Sequence, residues 1–446
     1  MSLAIPVKEL SEEDVQRYRT ALHFEYKSKD VMRYKSKHKP KPKVVNAYVE
    51  ANDIVHLPMW WAWKNFRKYN TRKLELLDYK QKLYPWNELQ EKELADVVKN
   101  LRQRRSVALT LRTGAGKTAV SLFAACDIKV LTVVFVHVVD HCEQWLSEVE
   151  DCTTAKAEIV ETDTNGINKD TQIIICFYGR WMKIPACIRE RVGLLIIDEC
   201  DEFNNRTGIE AILSIQPIYT LGCTATFARP GTGLETIMHA VLGHAFVTRE
   251  FDVHFEVRKI LTGIEGEEVA AKHTRGICWN KLKHSLLYND ERNMMILQVV
   301  KILLAEKRKI IMICTEIDHT KLLHKLLMDN GTDNDYMCDG KNTYEDKLGR
   351  ILIGTAKSCG RGFDQKNSCK SWCGERIDCV FDVDYCNNDS DRTQRAGRAF
   401  RANNPDKPPI IVHLVDENRT IVNQWRNAEA MYKRMGAEVQ EYTLST

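Results

Sequence analysis

The stretch Leu111-Arg-Thr-Gly-Ala-Gly-Lys-Thr118 is a glycine-bearing segment that ends in Gly-Lys-Thr. The apolar, β-prone run Ser106–Thr110 precedes it, and residues 119–125, which have the composition of a helix, follow it. A strand, a glycine-bearing turn and a helix in this order are what a phosphate-binding loop requires. The strict pattern has a small residue where Leu111 stands, and a Gly-Lys-Thr in an ordinary loop is the alternative. The flanking strand and helix favour the phosphate site.

Each part of this loop has a role in holding a nucleotide. Backbone N–H groups of the turn and the positive end of the following helix would cradle the phosphates. The Lys117 side chain would reach the β- and γ-phosphates, and the Thr118 hydroxyl would ligate Mg²⁺. The sequence therefore predicts a site for ATP and Mg²⁺ formed by Thr113, Gly114, Ala115, Gly116, Lys117 and Thr118.

The composition limits the classes of protein to consider. A chain of 446 residues with 44% hydrophobic residues is large enough for two or three domains. Its longest apolar runs, such as residues 130–136, have the length of a strand, and the N-terminus has no signal-like segment. The 15 cysteines are scattered through apolar segments, which favours reduced thiols over a disulfide framework. We therefore expect an intracellular protein of the cytoplasm or nucleus, with no membrane partner.

Two N-terminal features bear on nucleic-acid binding. The net charge of +4 is small, but residues 27–43 carry eight lysines and arginines against one acidic residue, Asp30. This segment is either a solvated, flexible stretch or an arm that contacts phosphates. The cluster of Trp60, Trp61 and Trp63 would stack bases or, as such clusters more often do, form a small core.

The chain alternates between strand and helix patterns after its first 83 residues. Residues 11–34 are predicted to form a helix within a small basic and aromatic N-terminal domain. Two alternating runs follow, separated by residues 251–288, where the pattern breaks. The predicted strands are residues 106–110, 130–136, 172–176, 194–197 and 218–222, then 309–314, 350–353, 379–383 and 410–415, and the predicted helices of the second run are 291–307, 319–330 and 391–398. The sequence thus predicts two parallel α/β sheets, of which only the first carries a phosphate loop.

An acidic group ends the apolar strand Leu194-Leu-Ile-Ile-Asp198, which continues as Glu199-Cys-Asp201. Asp198 would hold Mg²⁺ through its water shell. Glu199 would orient and deprotonate the water that attacks the γ-phosphate. A solvated acidic turn is the alternative, but a position about 80 residues after a phosphate loop favours nucleotide hydrolysis.

Two further segments extend the predicted nucleotide chemistry. Residues 221–226 end a strand with small hydroxylated residues that can hydrogen-bond the acidic pair and a neighbouring domain. Residues 394–401 form a basic helix, on which Arg398 and Arg401 share one face and would reach the γ-phosphate as arginine fingers. A basic face in solvent or on nucleic acid is the alternative. The residues expected to couple the two domains are Thr224, Thr226, Gln394 and Arg395.

These motifs occur together, and in this order, in one family. Gly-Lys-Thr, Asp-Glu-Cys-Asp, Thr-Ala-Thr and Gln-Arg-x-Gly-Arg-x-x-Arg resemble motifs I, II, III and VI of the superfamily 2 helicases, and the match covers about residues 84–415. The Asp-Glu-Cys-Asp form, the short second domain and the basic, aromatic N-terminal domain are most similar to the poxvirus-type and phage-type DNA helicases, which are related to the excision-repair helicases.

The resemblance implies roles for further residues. Gln90, in a Tyr-x-x-x-x-x-Gln entry to a helix, is similar to the glutamine that contacts adenine. Residues 351–355 with 360–364 look like motif V, in which Thr355 would contact the nucleic-acid backbone and Asp364 would couple that contact to ATP. The other positions expected to contact nucleic acid are His137, Gln144, Trp145, Tyr178 and Arg180. Of these, His137 stands where the family usually has proline.

The resemblance also implies the architecture and the activity. The expected fold is α/β, with two tandem RecA-like parallel-sheet domains and ATP between them. The expected boundaries are 1–83 for the N-terminal accessory domain, 84–248 for the ATP-binding domain, 249–288 for a linker and 289–446 for the second domain with its tail. The implied activity is that of a nucleic-acid-stimulated ATPase and helicase, acting on DNA rather than RNA.

Two other functions stay open at this point. One is a translocase that displaces protein or transcript from duplex DNA without unwinding it, and the other is a nucleic-acid-binding scaffold with a vestigial ATP site. The expected partners are nucleic acid and proteins of transcription, replication or repair. We expect a monomer, and the resemblance extends to viral proteins that are packaged or act in a virus factory.

A cysteine-bearing segment follows the motif V region. Cys369, Cys373, Cys379 and Cys386 invite a zinc interpretation, but their spacings lack a paired Cys-x-x-Cys. The favoured interpretation is an extended loop in which nucleic acid is contacted by Lys366, Lys370, Trp372 and Arg376.

Overall fold

The computed structural model describes residues 2–26, 43–66, 73–83, 85, 87–112, 114–203, 205–225, 234–249, 253–270, 277–346, 350–359, 363, 365–401 and 407–443. The chain divides into two compact units, residues 1–111 with 116–249 and residues 250–446 with 112–115. Each unit is built around a 7-stranded sheet. All the paired strands of both sheets are parallel.

The described N-terminal residues form two small antiparallel sheets and two α-helices. The strands are β1 (Ser2–Pro6), β2 (His23–Tyr26), β3 (Lys43–Asn46), β4 (Val49–Ala51) and β5 (Ile54–Pro58), and the helices are α1 (Glu12–Ala21) and α2 (Met59–Asn65). Strands β1 and β4 flank β5, and β2 pairs with β3. Helix α1 begins after Ser11, whose hydroxyl oxygen accepts the backbone N–H of Asp14, as an N-cap residue does.

The prediction of one helix over residues 11–34 is wrong at residues 22–26. The carbonyl of Leu22 accepts the N–H of Ala47 at 2.8 Å, and the next four residues form β2. Pairing with β3, which lies farther along the chain, outweighs the local helix pattern. The remainder of the predicted helix and all of the basic segment except Lys43 lie within residues 27–42, outside the described residues.

The N-terminal elements share a hydrophobic core with the first sheet. Ile5 and Val55 belong to the same cluster of buried residues as Phe135, and Trp61 and Trp63 pack against that cluster. These two tryptophans therefore follow the core interpretation and not the base-stacking one. The expected boundary at residue 83 does not separate compact units, because residues 1–111 belong to one unit.

The first sheet has the strand order β12-β6-β11-β10-β7-β9-β8. Its strands are β6 (Ser106–Thr110), β7 (Thr132–Val136), β8 (Ala157–Val160), β9 (Ile173–Phe177), β10 (Leu194–Asp198), β11 (Tyr219–Thr224) and β12 (Phe246–Thr248). Its helices are α3 (Glu88–Arg104), α4 (Lys117–Ile128), α5 (Asp140–Cys152), α6 (Ala186–Arg189), α7 (Arg206–Ser214) and α8 (Leu234–Leu242). The five predicted strands are confirmed within a residue or two. The two that the pattern missed, β8 and β12, form the sheet edges, where partial exposure removes the apolar run that marks a central strand.

The second sheet has the strand order β15-β16-β14-β17-β18-β13-β19. Its strands are β13 (Glu256–Leu261), β14 (Ile310–Cys314), β15 (Asp335–Met337), β16 (Ile351–Thr355), β17 (Cys379–Asp382), β18 (Ile410–Val415) and β19 (Glu438–Thr443). Its helices are α9 (Trp279–Leu287), α10 (Asp290–Ala305), α11 (Ile317–Asp329), α12 (Ala356–Cys359), α13 (Gln365–Ser368), α14 (Asp389–Ala396) and α15 (Arg419–Arg434). The expectation that residues 249–288 only link the domains is wrong, because they supply β13 and α9.

A buried ion pair attaches helix α10 to the second sheet. Arg292 Nε lies 3.0 Å from Asp416 Oδ1 and 3.1 Å from Oδ2, and both side chains are completely buried. The guanidinium also donates to the carbonyl of Val383 at 2.9 Å. Asp416 accepts further hydrogen bonds from Thr262 Oγ1, at 2.7 Å, and from the Tyr385 hydroxyl. This dense pairing satisfies two charges that would be costly to bury alone.

Candidate functional site

The glycine turn between β6 and α4 has the backbone conformation of a phosphate loop. Gly114 and Gly116 have φ angles of 82° and 90°, in the left-handed region where a side chain is strained. Gly116 is the N-cap residue of α4, so Lys117 is the first residue of the helix. The N–H groups of the first helical turn, which have no partner within the helix, therefore lie at the turn.

Leu111, the departure from the strict motif, is accommodated in the core. Its side chain is 1% exposed, and its N–H donates to the Thr224 carbonyl at 3.2 Å. Its own carbonyl accepts the Lys117 Nζ at 3.2 Å. The loop closes through backbone atoms at this position, so a large apolar side chain does not disturb it.

Asp198 ends strand β10 with two nitrogen groups beside its carboxylate. Trp145 Nε1 donates to Oδ2 at 3.1 Å, and His141 Nδ1 lies 3.6 Å from the same oxygen, an ion-pair distance. Burial acts to raise the pKa of Asp198, but His141, the Trp145 N–H and the Lys117 ammonium outweigh it, and the pKa lies below its usual value. The carboxylate is thus held ionised, as a metal-binding group must be.

The next residues of the acidic motif are turned back toward the sheet. Glu199 has φ of 46°, a conformation uncommon for a residue with a side chain and found more often at functional sites. Buried Asp201 accepts a hydrogen bond of 2.7 Å from Thr224 Oγ1. This hydrogen bond connects the end of β11 to Asp201, the last carboxylate of the Asp-Glu-Cys-Asp motif.

In the second unit, two arginines of residues 394–401 are held by buried hydrogen bonds. Arg395 pairs with Asp382 at the end of β17, and Arg398 donates to the Phe363 carbonyl. Both arginines and Gln394 are at least nine-tenths buried. The expectation that Arg398 and Arg401 share a helical face is wrong, because α14 ends at Ala396 and Arg401 lies in a separate 3-10 turn.

Comparison with known proteins agrees with this arrangement. The family model described as the type III restriction enzyme, res subunit, matches residues 83–229. The chain is 25% identical over 459 residues to "Putative helicase 161L" of Invertebrate iridescent virus 6, with 94% of this chain and 96% of that protein covered. It is 28% identical over 151 residues, 30% of this chain and 22% of that protein, to the general transcription and DNA repair factor IIH helicase/translocase subunit XPB of Antonospora locustae.

A solved structure shows the same fold. Saccharomyces cerevisiae Dbp5, bound to RNA and ADP BeF3, matches with a TM-score of 0.54 and 14% identity, over 86% of this chain and 93% of that one. The resemblance to superfamily 2 helicases is confirmed. The fold is α/β, and the two parallel sheets are two RecA-like domains. Among the described helices, none has the length and apolar character needed to cross a bilayer.

The helicase resemblance assigned nucleic-acid contacts to the segment after β7, and one of them does not fit. Trp145 is 2% exposed and donates to Asp198, so it faces the acidic motif and not the surface. His137 and Gln144 are partly exposed, and the His137 ring meets that of His141 edge to face at 5.2 Å. His141 is the residue that sequence reasoning missed, although its spacing of four from Trp145 is a signal that both share one helix face.

Other expected nucleic-acid contacts are engaged within the protein. The Tyr178 ring packs at 5.0 Å from both Phe177 and Phe203. Arg180 donates to Glu161 at 2.7 Å, and a phosphate would compete with that carboxylate. Thr355 is 7% exposed, and its hydroxyl accepts the Ser358 N–H at 3.2 Å at the start of α12. Thr113, Thr226 and Asp364 lie outside the described residues.

Gln90, expected at the adenine, lies in the first turn of α3. Its side chain is 2% exposed, and its backbone N–H donates to the Asn87 cap at 2.9 Å. One turn later, Glu93 accepts two hydrogen bonds, of 2.6 and 2.7 Å, from Arg249 at the end of the first unit. The helix that carries Gln90 is thus fixed by a buried bidentate pair.

The cysteine-bearing segment is packed onto the second sheet. Trp372 lies under two cations, Lys309 at 5.6 Å and Arg376 at 4.9 Å from its ring centroid, while Lys366 and Lys370 are exposed. Cys369 and Cys379 are buried, and Cys373 is exposed. Across the described residues, no three histidine, cysteine or acidic side chains are grouped to hold a metal ion.

Proposed function

We propose that this chain is an ATP-dependent helicase that couples ATP hydrolysis to movement along nucleic acid and to its unwinding. The observation that carries the proposal is the placement of a glycine turn before Lys117 and an acidic strand end at Asp198 in one parallel sheet. Strands β6 and β10 flank β11 and run parallel to it, so both segments follow the carboxyl ends of neighbouring strands. The carboxyl ends of the strands are where parallel α/β sheets bind nucleotides.

In this proposal the glycine turn before α4 and residues of the first sheet bind the nucleotide and activate water. The N–H groups of the turn and of the first turn of α4 bind phosphate oxygens, and Lys117 exchanges its carbonyl partner for the β- and γ-phosphates. Glu199 orients the attacking water and accepts its proton. Gln90 contacts the adenine ring.

The residues present fit a magnesium ion. Thr118, early in α4, and Asp198, with its lowered pKa, supply the oxygen ligands that Mg²⁺ prefers. The His141 ring, whose Nδ1 lies 3.6 Å from Asp198 Oδ2, also carries a buried Nε2 with no hydrogen-bond partner among the described residues. When bound, the ion would neutralise charge on the β- and γ-phosphates.

Further roles in the proposal fall to both units. Arg398 and Arg401 stabilise the charge of the transferring phosphoryl group. Thr224 and Thr226 of the first unit, with Gln394 and Arg395 of the second, couple hydrolysis to domain movement. Asp364 links that movement to the nucleic-acid contact at Thr355. Gln144, His137, Tyr178 and Arg180 contact the nucleic-acid strand, whereas Trp145 is buried against Asp198 and does not.

We propose DNA as the preferred nucleic acid. The motif form resembles the DNA helicases, and one relative is named a subunit of a DNA repair factor. That relative is also named a helicase/translocase, which favours, as a second candidate, movement along duplex DNA without strand separation. Proteins of transcription, replication or repair are the partners that either activity implies.

One set of assays separates these functions. ATP hydrolysis is measured with single-stranded DNA, duplex DNA and RNA, beside strand displacement on a forked duplex and displacement of a triplex strand. A helicase separates the forked duplex, whereas a translocase displaces only the triplex strand. Lys117→Ala should abolish both activities, and Glu210→Gln, a change at an exposed ion pair with Arg206, should preserve them. Stimulation by RNA alone would contradict the DNA assignment.

A further inference from the structure

Helix α5 presents two ring side chains to the acidic end of β10. His141 and Trp145 are four residues apart and therefore lie on one face of the helix. Both reach the same carboxylate oxygen, Asp198 Oδ2, at 3.6 Å from His141 Nδ1 and 3.1 Å from Trp145 Nε1. The two rings are 6% and 2% exposed, so water does not compete freely for these contacts.

We propose that His141 and Trp145 are positioning residues that set the orientation of the Asp198 carboxylate. The terminal torsion of an aspartate is broad, and its backbone alone does not fix which oxygen faces a ligand. Two nitrogen groups on Oδ2 fix the plane of the carboxylate and direct Oδ1 away from them. This inference rests on the proposed function, in which Asp198 holds the hydrated magnesium ion.

The arrangement extends the metal site by one layer of residues. Partners of a metal-binding carboxylate restrict its orientation, and their loss weakens metal affinity by about 10- to 100-fold in known sites. A purely structural role is the competing explanation, since a buried indole N–H needs some acceptor. If the two residues position Asp198, their replacement weakens metal binding while nucleotide affinity stays constant. If their role is purely structural, metal affinity does not change separately from stability.

The test measures Mn²⁺ binding directly. The full chain is saturated with the non-hydrolysable analogue AMP-PNP, and free Mn²⁺ is followed by electron paramagnetic resonance. Trp145→Phe, which keeps a ring and removes the donor, and His141→Ala should each raise the Kd for Mn²⁺ about tenfold. His141→Asn, whose amide can donate from the position of Nδ1, should restore much of the affinity. AMP-PNP binding in EDTA should stay unchanged.

A matched variant of the same helix controls for loss of packing. Val149 on α5 is completely buried, and Val149→Ala should lower the melting temperature while leaving the Kd for Mn²⁺ unchanged. Unchanged Mn²⁺ affinity in Trp145→Phe and His141→Ala would overturn the positioning role, as would an equal loss in Val149→Ala. If the unaltered protein binds no Mn²⁺ with AMP-PNP, the proposed function itself fails.

Discussion

Replacing Arg292 by leucine should destabilise the second unit strongly. The change leaves the buried Asp416 carboxylate without its cation, and breaking a buried ion pair from one side costs about 3–5 kcal/mol. The hydrogen bonds from Thr262 and Tyr385 remain and favour the lower end of that range. Loss of the bond to the Val383 carbonyl adds about 1 kcal/mol. We therefore expect a loss of about 4 kcal/mol in the free energy of unfolding.

Urea unfolding followed by circular dichroism and tryptophan fluorescence measures this loss as a lower midpoint for the unit that contains Arg292. Arg292→Lys keeps the charge but replaces the separate Nε and Nη2 donors with one ammonium group, and should lose about half as much. Arg434→Leu removes an arginine that is 73% exposed and should change the free energy by less than about 0.5 kcal/mol. Adding Asp416→Asn to Arg292→Leu should recover part of the stability. A loss below about 1 kcal/mol in Arg292→Leu would refute the reasoning.

Three further predictions each concern one residue. Burial and nearby arginines lower the pKa of His413 from 6.5 to about 3, so the ring stays neutral in the folded protein while the unfolded chain takes up a proton below pH 6.5. The free energy of unfolding therefore falls as the pH is lowered from 6.5 toward 3. At pH 5 this loss is about 2 kcal/mol. Urea unfolding should therefore show a smaller difference in stability between pH 7 and pH 5 in His413→Gln than in the wild type, and an equal difference in the two proteins would contradict the lowered pKa of His413. Gly116→Ala forces a side chain into φ of 90°, at about 1–2 kcal/mol, and should weaken ATP binding in equilibrium titration, whereas wild-type affinity would show the turn to be tolerant. Thr224→Val removes a bond to buried Asp201 and should lower the free energy of unfolding by about 1–3 kcal/mol, an expectation that unchanged stability would defeat.

The central strands of both sheets were predictable because their own residues carry the signal. Residues 194–197 are all apolar, as the buried part of a strand covered on both faces must be. Strand β13 could not be found in this way, since it mixes charged, half-buried residues with buried ones and its partners β18 and β19 lie far along the chain. The helix expected to run past Ala21 failed for the same reason, because pairing with Lys43–Asn46 is a tertiary interaction.

In the candidate site, too, local motifs could be predicted from the sequence and tertiary contacts could not. The glycine turn and the acidic strand end are local motifs, and the structure gives Gly116 the backbone conformation that the motif requires. The hydrogen bond from Trp145 to Asp198 could not be predicted, because the sequence around Trp145 does not show which way its ring points. The anchoring of Arg395 by Asp382 likewise depends on packing between a helix and a strand.

The central claim is that Glu199 activates water in a nucleic-acid-stimulated ATPase. The most direct test is the steady-state rate of ATP hydrolysis of wild type and Glu199→Gln, with and without single-stranded DNA. Single-stranded DNA should stimulate the wild type, and the variant should lose about 10²- to 10⁴-fold in kcat while still binding ATP. Equal rates in the two proteins, or a wild-type rate that DNA does not change, would contradict the account.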